Sequence, residues 1–294
     1  MKKLLCFLFF FIKLLPILFF YFVADCLFLL VFYVVRYRRA LVRKNITSAF
    51  PSYNDQEIRN TEKRFYRHLT DYMVESAAMI RLNKKDYAKR FQFINLDYYH
   101  SFLDKGKNVL LISGHYGNWE WTCCLPLFSK YPIYAVYQAQ SSRFFDEAML
   151  IAREKNGMLL ISYSRIYKTI LMLQPGNTVA VYLLADQRPE MEKKPNWIEF
   201  LNRPVTYFRG LENLDKVMDG VVLYLEILKS KRGHYTVEFI PLKIDSDSSN
   251  EAGLLTRKYF EKLENNIRID PAYYLWSHNR WKFLKPDSEE SPMD

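Results

Sequence analysis

Cysteine and histidine are scarce in this chain, and their spacing argues against a disulfide framework and against a metal site. The 294 residues include four cysteines and five histidines. Cys6 and Cys26 lie in an apolar N-terminal run, and Cys123 and Cys124 are adjacent, so no paired disulfide framework appears. The histidines are scattered singly, without the spacing of metal ligands. We therefore expect a reduced, cytosolic chain that holds no metal ion.

The sequence also lacks internal repeats and any recognisable nucleic-acid module. Its net charge is +10, from 42 cations and 32 acids, and Phe, Tyr and Trp make up 17% of the residues. Because the aromatic residues lie largely in apolar runs, a membrane surface explains both the charge and the rings better than a nucleic acid does. A membrane partner is therefore expected, and a nucleic acid is not.

An apolar segment over residues 4–35 predicts a membrane anchor. The run Ile17–Val35 is long enough to cross a hydrocarbon core of ~30 Å as a helix. It is too long for the core of a signal peptide, and no small-x-small cleavage site closes it. Asp25 would cost about 3 kcal/mol at mid-membrane, so either its face packs on protein or the segment lies partly in the interface. Spanning and re-entrant insertion both remain open.

A basic cluster follows the apolar run directly. Residues 36–44 carry five cations and no acid. This bias places the following domain on the cytoplasmic side and holds it near anionic head groups. The predicted organisation is an anchor and basic segment over 1–44, a globular domain over 45–285 and a polar tail over 286–294.

Strand-like and helical stretches alternate along the domain. Apolar runs predict strands near Val109–Ser113, Ile133–Gln138, Met158–Tyr163, Thr178–Ala185, Val221–Ile227 and Tyr235–Leu242. Helices are expected near 118–129, 142–155, 165–173, 210–219 and 251–267, and a capping box of Asn54 and Glu57 begins another. Turn signals lie at 175–177 and 231–233. The alternation predicts an α/β fold, with a mixed sheet flanked by helices on both faces and an N-terminal membrane helix.

A histidine and a carboxylate flank the turn after the first of these strands. His115 follows the strand Val109–Ser113, and Glu120 lies in the first turn of a helix that Asn118 would cap. Open α/β sheets gather their chemistry at that edge. A glutamate beside the ring could fix the imidazole tautomer, as expected of a general base that deprotonates a hydroxyl. The same residues also suit an ordinary turn, because the helix dipole alone favours Glu120.

Six short motifs follow one another between the apolar segment and residue 282. They are Tyr37-Arg38-Arg39, residues 44–51, residues 114–120, Ala185-Asp186-Gln187, residues 231–235 and residues 271–282. In this order they resemble the membrane-anchored late acyltransferases of lipid A biosynthesis, the lauroyl/myristoyl transferase family. The His-x-x-x-x-Glu signature is shared with wider glycerolipid acyltransferases. The segment ending in Phe50-Pro51 and the Trp-x-His-x-Arg-Trp ending are more specific.

The resemblance implies a reaction. An acyl chain would move from a thioester, typically on acyl carrier protein, to a hydroxyl of a lipid head group, with His115 as general base and Glu120 as its partner. A hydroxyl becomes a strong nucleophile when a base removes its proton as it attacks. Since a thioester supplies a good leaving group, no cofactor is expected beyond the acyl thioester itself.

The resemblance also implies substrate-binding residues. Arg165 would stabilise the oxyanion together with backbone amides near Gly117 and Asn118, and Asp186 and Gln187 would position the acceptor or support Arg165. The expected acceptor is a lipid A precursor or similar glycolipid. The expected location is the bacterial inner membrane, with the catalytic domain facing the cytoplasm. An aminolipid or lysophospholipid acyltransferase of the same fold remains an alternative, and a noncatalytic lipid-binding protein is a further one.

Overall fold

Strands and helices account for most of the described chain. The computed structural model describes residues 10–139, 142–173, 178–190, 193–207, 209–242, 253–283 and 285. The strands are β1 (Phe91–Phe93), β2 (Val109–Ser113), β3 (Ile133–Tyr137), β4 (Leu159–Ser162), β5 (Ala180–Leu184), β6 (Asn196–Phe200), β7 (Arg203–Tyr207), β8 (Val221–Lys231) and β9 (His234–Pro241). The α-helices are α1 (Ile17–Leu29), α2 (Arg39–Ala49), α3 (Asp55–Ala78), α4 (Lys84–Arg90), α5 (Leu96–Leu103), α6 (Arg143–Glu154), α7 (Ile166–Leu173), α8 (Gly210–Met218) and α9 (Leu254–Ile269).

The sheet is mixed, as the sequence predicts. Seven strands lie in the order β1-β9-β8-β2-β5-β3-β4. Neighbours are parallel except for the antiparallel pair β8 and β9, and the hairpin β6–β7 forms a separate two-stranded sheet. The central strand β2 is buried along its whole length.

Apolar side chains cover both faces of the sheet. Leu110 and Ile112 of β2 belong to a core that includes side chains of α2, α3 and α9. Val109 and Leu111, which alternate with them, belong to a second core with Tyr87 of α4 and other aromatic residues. Because successive strand residues point to opposite faces, helices pack on both sides of the sheet. The predicted α/β class is confirmed.

The segment expected to form a helix over 118–129 differs in type. It is a 3₁₀ helix, Trp119–Leu127, which Asn118 caps by accepting a hydrogen bond from the Trp121 amide. Pro126 lies inside it, and proline removes a backbone donor that an α-helix needs. The expected turn at 175–177 and the tail 286–294 lie outside the described residues, whereas the turn at Arg232-Gly233 joins β8 to β9.

The N-terminal helix packs along α3 by one face. After α1 the helix continues as a π-helical segment, Leu30–Val35. Together they form Ile17–Val35, which is the one helix among the described residues that is long and apolar enough to cross a membrane. Phe20, Ala24 and Phe28 are buried, while the opposite side is exposed. Asp25 is paired with the guanidinium of Arg232, so its side of the helix meets protein.

Candidate active site

The register of the sheet brings His115 and Asp186 together. Strands β2 and β5 are parallel neighbours in which Ser113 pairs with Leu184. His115 and Asp186 each follow their strand by two residues. Both side chains therefore lie at the carboxyl edge of the sheet, where α/β proteins collect their functional groups.

Asp186 holds the imidazole in one tautomer. Nδ1 of His115 donates to Oδ1 of Asp186 at 2.6 Å, and the His115 amide donates to both carboxylate oxygens at 3.1 and 3.2 Å. Burial opposes ionisation of Asp186, but electrostatic attraction to the His115 ring and the hydrogen bonds that His115 donates outweigh burial and lower the pKa of the carboxyl. Asp186 is therefore a carboxylate, and Nδ1 carries the proton that it accepts.

The other ring nitrogen contacts a side chain that is exposed to solvent. Nε2 of His115 lies 3.0 Å from Nε2 of Gln187, whose side chain is exposed. With the proton on Nδ1, the Nε2 lone pair accepts this bond from the amide. Trp119 packs edge-on against the imidazole, with the ring centroids 4.9 Å apart. The unprotonated ring nitrogen thus lies next to the amide of an exposed side chain.

Glu120 does not contact His115 through either ring nitrogen, contrary to the expected pairing. Its Oε1 accepts a hydrogen bond from Nη2 of Arg153 at 2.6 Å, and its Oε2 accepts one from Nε of Arg153 at 2.8 Å. Oε1 also lies 3.4 Å from the hydroxyl of Tyr72. A buried carboxylate needs such close pairing, and the 3₁₀ turn directs this one towards α6 and α3. The partner of the imidazole is Asp186, which the sequence marks by its place after a strand.

Gly117 and Asn118 shape the turn of residues 114–121, hereafter the catalytic turn. Gly117 has φ +63°, and its amide donates to the carbonyl of Tyr273 at 3.0 Å. Asn118 donates its side-chain amide to Glu75 at 2.6 Å. The Gly117 amide expected to bind an oxyanion is therefore already used, and these bonds fix the position of the turn.

Arg165 is not brought to the imidazole. It ends the 3₁₀ turn Tyr163–Arg165 after β4, and its side chain is exposed. Strand β4 lies three places from β2 across the sheet, which at the usual strand spacing is about 14 Å. The predicted contribution to the site of His115 is not seen in this arrangement.

A closing segment, residues 271–283, forms the other wall. The amide of Leu275 donates to the carbonyl of His115 at 3.1 Å, and Tyr116 and Tyr274 form a short antiparallel bridge. In the same segment Nε2 of His278 accepts the amide of Arg188 at 3.2 Å, and burial lowers the pKa of His278 to about 4. The sequence of this segment resembles the family pattern, but no local signal in it indicates that it lies beside His115.

A small aromatic cavity, with room for about one water molecule, lies next to Trp119. Its lining residues are Phe65, His68, Leu69, Tyr72, Trp119, Tyr273, Tyr274 and Leu275. The walls are mostly apolar, and one of them packs against the imidazole. Among the residues that the structure describes, no group of three or more His, Cys, Asp or Glu side chains could hold a metal ion.

A histidine whose Nδ1 is held by a buried carboxylate, at the carboxyl edge of an α/β sheet, is typical of enzymes that use a general base. Comparison with known proteins makes the class specific. The pattern of the family described as bacterial lipid A biosynthesis acyltransferase matches residues 2–283. The chain belongs to this family and is an acyltransferase. A lipid A biosynthesis acyltransferase of Haemophilus influenzae is 20% identical over 240 residues, which cover 81% of this chain and 74% of that relative.

Proposed function

We propose that this protein transfers a fatty acyl chain from an acyl thioester, carried by acyl carrier protein, to a hydroxyl of a lipid A precursor. The observation that carries the proposal is the bond from Nδ1 of His115 to Asp186, which leaves Nε2 basic at the open edge. Family membership supplies the reaction class. The thioester is a co-substrate, and the proposed reaction needs no other cofactor.

The proposed proton path runs through one imidazole. The acceptor hydroxyl takes the place of the Gln187 amide at Nε2 of His115, and Nε2 removes its proton as the oxygen attacks the thioester carbonyl. Asp186 stabilises the imidazolium, as carboxylates do in such pairs. When the tetrahedral intermediate collapses, the C–S bond breaks, the new C–O ester bond remains, and the thiolate takes the proton from Nε2. Atoms and charges balance without a covalent enzyme intermediate.

The remaining side chains fit substrate binding. The amide of Gln187, once displaced from Nε2, is close enough to hydrogen-bond the acceptor hydroxyl. The cavity beside Trp119 has an apolar lining of the kind that an acyl chain contacts, and the chain would enter it only after the surrounding rings move apart. Glu120 supports this wall through Arg153 and Tyr72.

We further propose that the enzyme works at the bacterial inner membrane with its catalytic domain on the cytoplasmic side. The apolar helix Ile17–Val35 supports attachment, and the cations of residues 36–44 support this orientation. The acceptor would then approach from the lipid while the soluble acyl carrier approaches from water.

The first experiment is mass spectrometry of total lipids from cells that lack the protein. The cells are complemented with the wild type, with His115→Ala or with His100→Ala, which removes a histidine on α5 outside the site. A lipid A species that gains one acyl chain with the wild type and with His100→Ala, but not with His115→Ala, supports the proposal. A changed aminolipid or phospholipid would overturn the proposed acceptor. Equal lipids from all three strains, with equal expression, would refute catalysis by His115.

A further inference from the structure

Buried polar side chains fill the space between α1, α3 and the β8–β9 hairpin. This region lies beside the catalytic turn and outside the His115–Asp186 pair. Its ionisable members are His68, Asp71, Glu75 and Lys229, all of which are largely buried. Because buried charges are costly unless they are paired and hydrogen-bonded, their partners indicate what the cluster holds together.

Glu75 joins the N-terminal helix to the catalytic turn. It is fully buried, and Oε1 accepts the hydroxyl of Tyr21 in α1 at 3.0 Å. Oε2 accepts the side-chain amide of Asn118 at 2.6 Å and the hydroxyl of Tyr235 at 2.8 Å. The backbone carbonyl of Glu75 also accepts the indole N–H of Trp121 at 3.0 Å. One residue of α3 therefore contacts α1 and two residues of the turn.

Arg232 fixes α1 against the same cluster. Its guanidinium donates to both oxygens of Asp25 at 2.8 and 3.1 Å and to Asp71 at 2.8 Å, and it lies over the ring of Tyr21. The following residue, Gly233, fits the helix closely, because a Cβ there would come within 1.8 Å of the Tyr21 hydroxyl. The position and rotation of α1 against the domain are thus set by this hairpin turn.

A second chain of bonds reaches the turn through Lys229. Its ammonium lies 3.3 Å from Asp71 and from Nδ1 of His68, and Nε2 of His68 donates to the carbonyl of Gly117 at 3.1 Å. The turn is therefore held at both Gly117 and Asn118 by side chains that also contact the groups around α1.

We propose that Glu75 is a positioning residue through which α1 holds the catalytic turn in the geometry that His115 requires. The inference rests on the proposed function for its catalytic consequence. Displacements of about 1 Å in a catalytic group can lower rates substantially. Because His115 precedes Gly117 and Asn118 in one short turn, loosening the carboxylate that holds Asn118 shifts the imidazole. The N-terminal helix is then a part of the active-site scaffold in addition to an anchor.

The test is Tyr21→Phe in the full chain, purified with the membrane fraction. This change keeps the ring under Arg232 and removes the hydroxyl that binds Glu75. We expect kcat to fall about fivefold, with KM for both substrates and the membrane-bound fraction unchanged. Amide hydrogen exchange in residues 114–122 should be faster than in the wild type. Tyr33→Phe is the matched control, since it removes a hydroxyl from the same segment at an exposed position.

A second variant tests whether the effect passes through the carboxylate. Glu75→Gln has nearly the same shape and should lower kcat at least as much, and adding Tyr21→Phe to it should lower kcat no further. Wild-type kcat and wild-type exchange in Tyr21→Phe would overturn the inference, as would loss of membrane binding with unchanged exchange. If the wild-type chain transfers no acyl group, the proposed function fails, while the exchange comparison still decides whether α1 positions the turn.

Discussion

At the scale of single residues, the site depends on which carboxylate holds the imidazole. Asp186→Asn keeps the shape of the side chain but can donate to Nδ1, which would favour the tautomer with its proton on Nε2. We expect kcat to fall about a thousandfold, with little change in the free energy of unfolding. Steady-state kinetics and a urea titration of the same preparation measure both quantities. A variant that keeps more than a tenth of wild-type kcat would exclude Asp186 from the proton path.

Glu120 is expected to behave differently. Glu120→Gln breaks a buried pair with Arg153 and leaves that guanidinium without its charge partner, so the free energy of unfolding should fall by about 3 kcal/mol. The folded protein should keep kcat within about threefold of the wild type. A urea titration and active-site-normalised kinetics check this prediction. Intact stability with abolished kcat would instead place Glu120 in catalysis.

At the scale of elements, the catalytic turn requires a left-handed residue at Gly117. A side chain there is strained, and its Cβ would lie 3.1 Å from Cγ2 and 3.2 Å from the carbonyl oxygen of Ile227. Gly117→Ala should cost about 1–2 kcal/mol of stability and lower kcat at least tenfold, because the turn carries His115. Thermal unfolding and kinetics measure the two effects.

Gly106→Ala provides the matched control for that variant. Gly106 also has a positive φ, +74°, but nothing lies within 4 Å of its Cβ position. The Gly106→Ala variant should lose about as much free energy of unfolding as Gly117→Ala does, and its kcat should stay at the wild-type level. Equal kcat losses in the two variants would mean that the effect comes from general destabilisation.

Much of the element pattern could be predicted from the sequence, because the signals are local. The strand Val109–Ser113 and the caps at Asn54 and Asn118 depend on neighbouring residues, and all three are confirmed. The sequence does not predict the hairpin β6–β7, because its turn residues Leu201 and Asn202 take positive φ without the glycine that usually marks such a turn.

The pairing of His115 with Asp186 is not a local property. Strands β2 and β5 are neighbours in space, although β3 and β4 lie between them in the chain. The sequence predicts both side chains at strand ends, and the family resemblance assigns Asp186 to the site. Both the short turn that His115 and Glu120 flank and the His-x-x-x-x-Glu signature of the family favour a pairing of these two residues. The order of the strands, which depends on packing across the whole sheet, determines the actual partner.

At the scale of the whole molecule, buried histidines make stability depend on pH. The pKa of His278 is about 4 in the folded chain because of burial, against ~6.5 when unfolded. Below pH 6.5 the unfolded chain binds more protons at His278 than the folded chain does. The stability that the neutral His278 ring allows is therefore fully present above pH 6.5 and is lost as the pH falls to 4. The free energy of unfolding should drop by about 2 kcal/mol over that window, after allowance for partial exposure of the ring.

His278→Gln tests this dependence, since glutamine can accept the Arg188 amide without titrating. Urea titrations at several pH values should show a shallower slope between pH 6.5 and 4 in the variant. Part of the slope should remain, because burial also lowers the pKa of His68. An unchanged slope would show that His278 does not titrate on unfolding.

The N-terminal helix contributes side chains to the core of the domain. Phe28 and Phe32 belong to the same core as Ile112 of β2, so deletion of residues 1–35 removes part of that core as well as the apolar exterior. Losing two buried phenylalanines should cost several kcal/mol, about 3–5 for each when truncated to alanine. We therefore expect the shortened chain to aggregate or to unfold at much lower urea concentrations, which sedimentation and limited proteolysis would show.

Substitution on the exposed side of the same helix separates attachment from folding. Leu18 and Val34 are more than two-thirds exposed, so Leu18→Lys with Val34→Lys leaves the core intact while placing two charges where lipid would lie. The pair should lower the fraction that resists alkaline extraction, because a lysine within a membrane helix costs about 2.5–3.5 kcal/mol at its centre and less towards its ends. Proteolytic resistance of the domain should stay at the wild-type level. If the charged variant instead became protease-sensitive while remaining in the membrane, the exposed side would have to pack on protein, and the orientation of α1 towards lipid would be wrong.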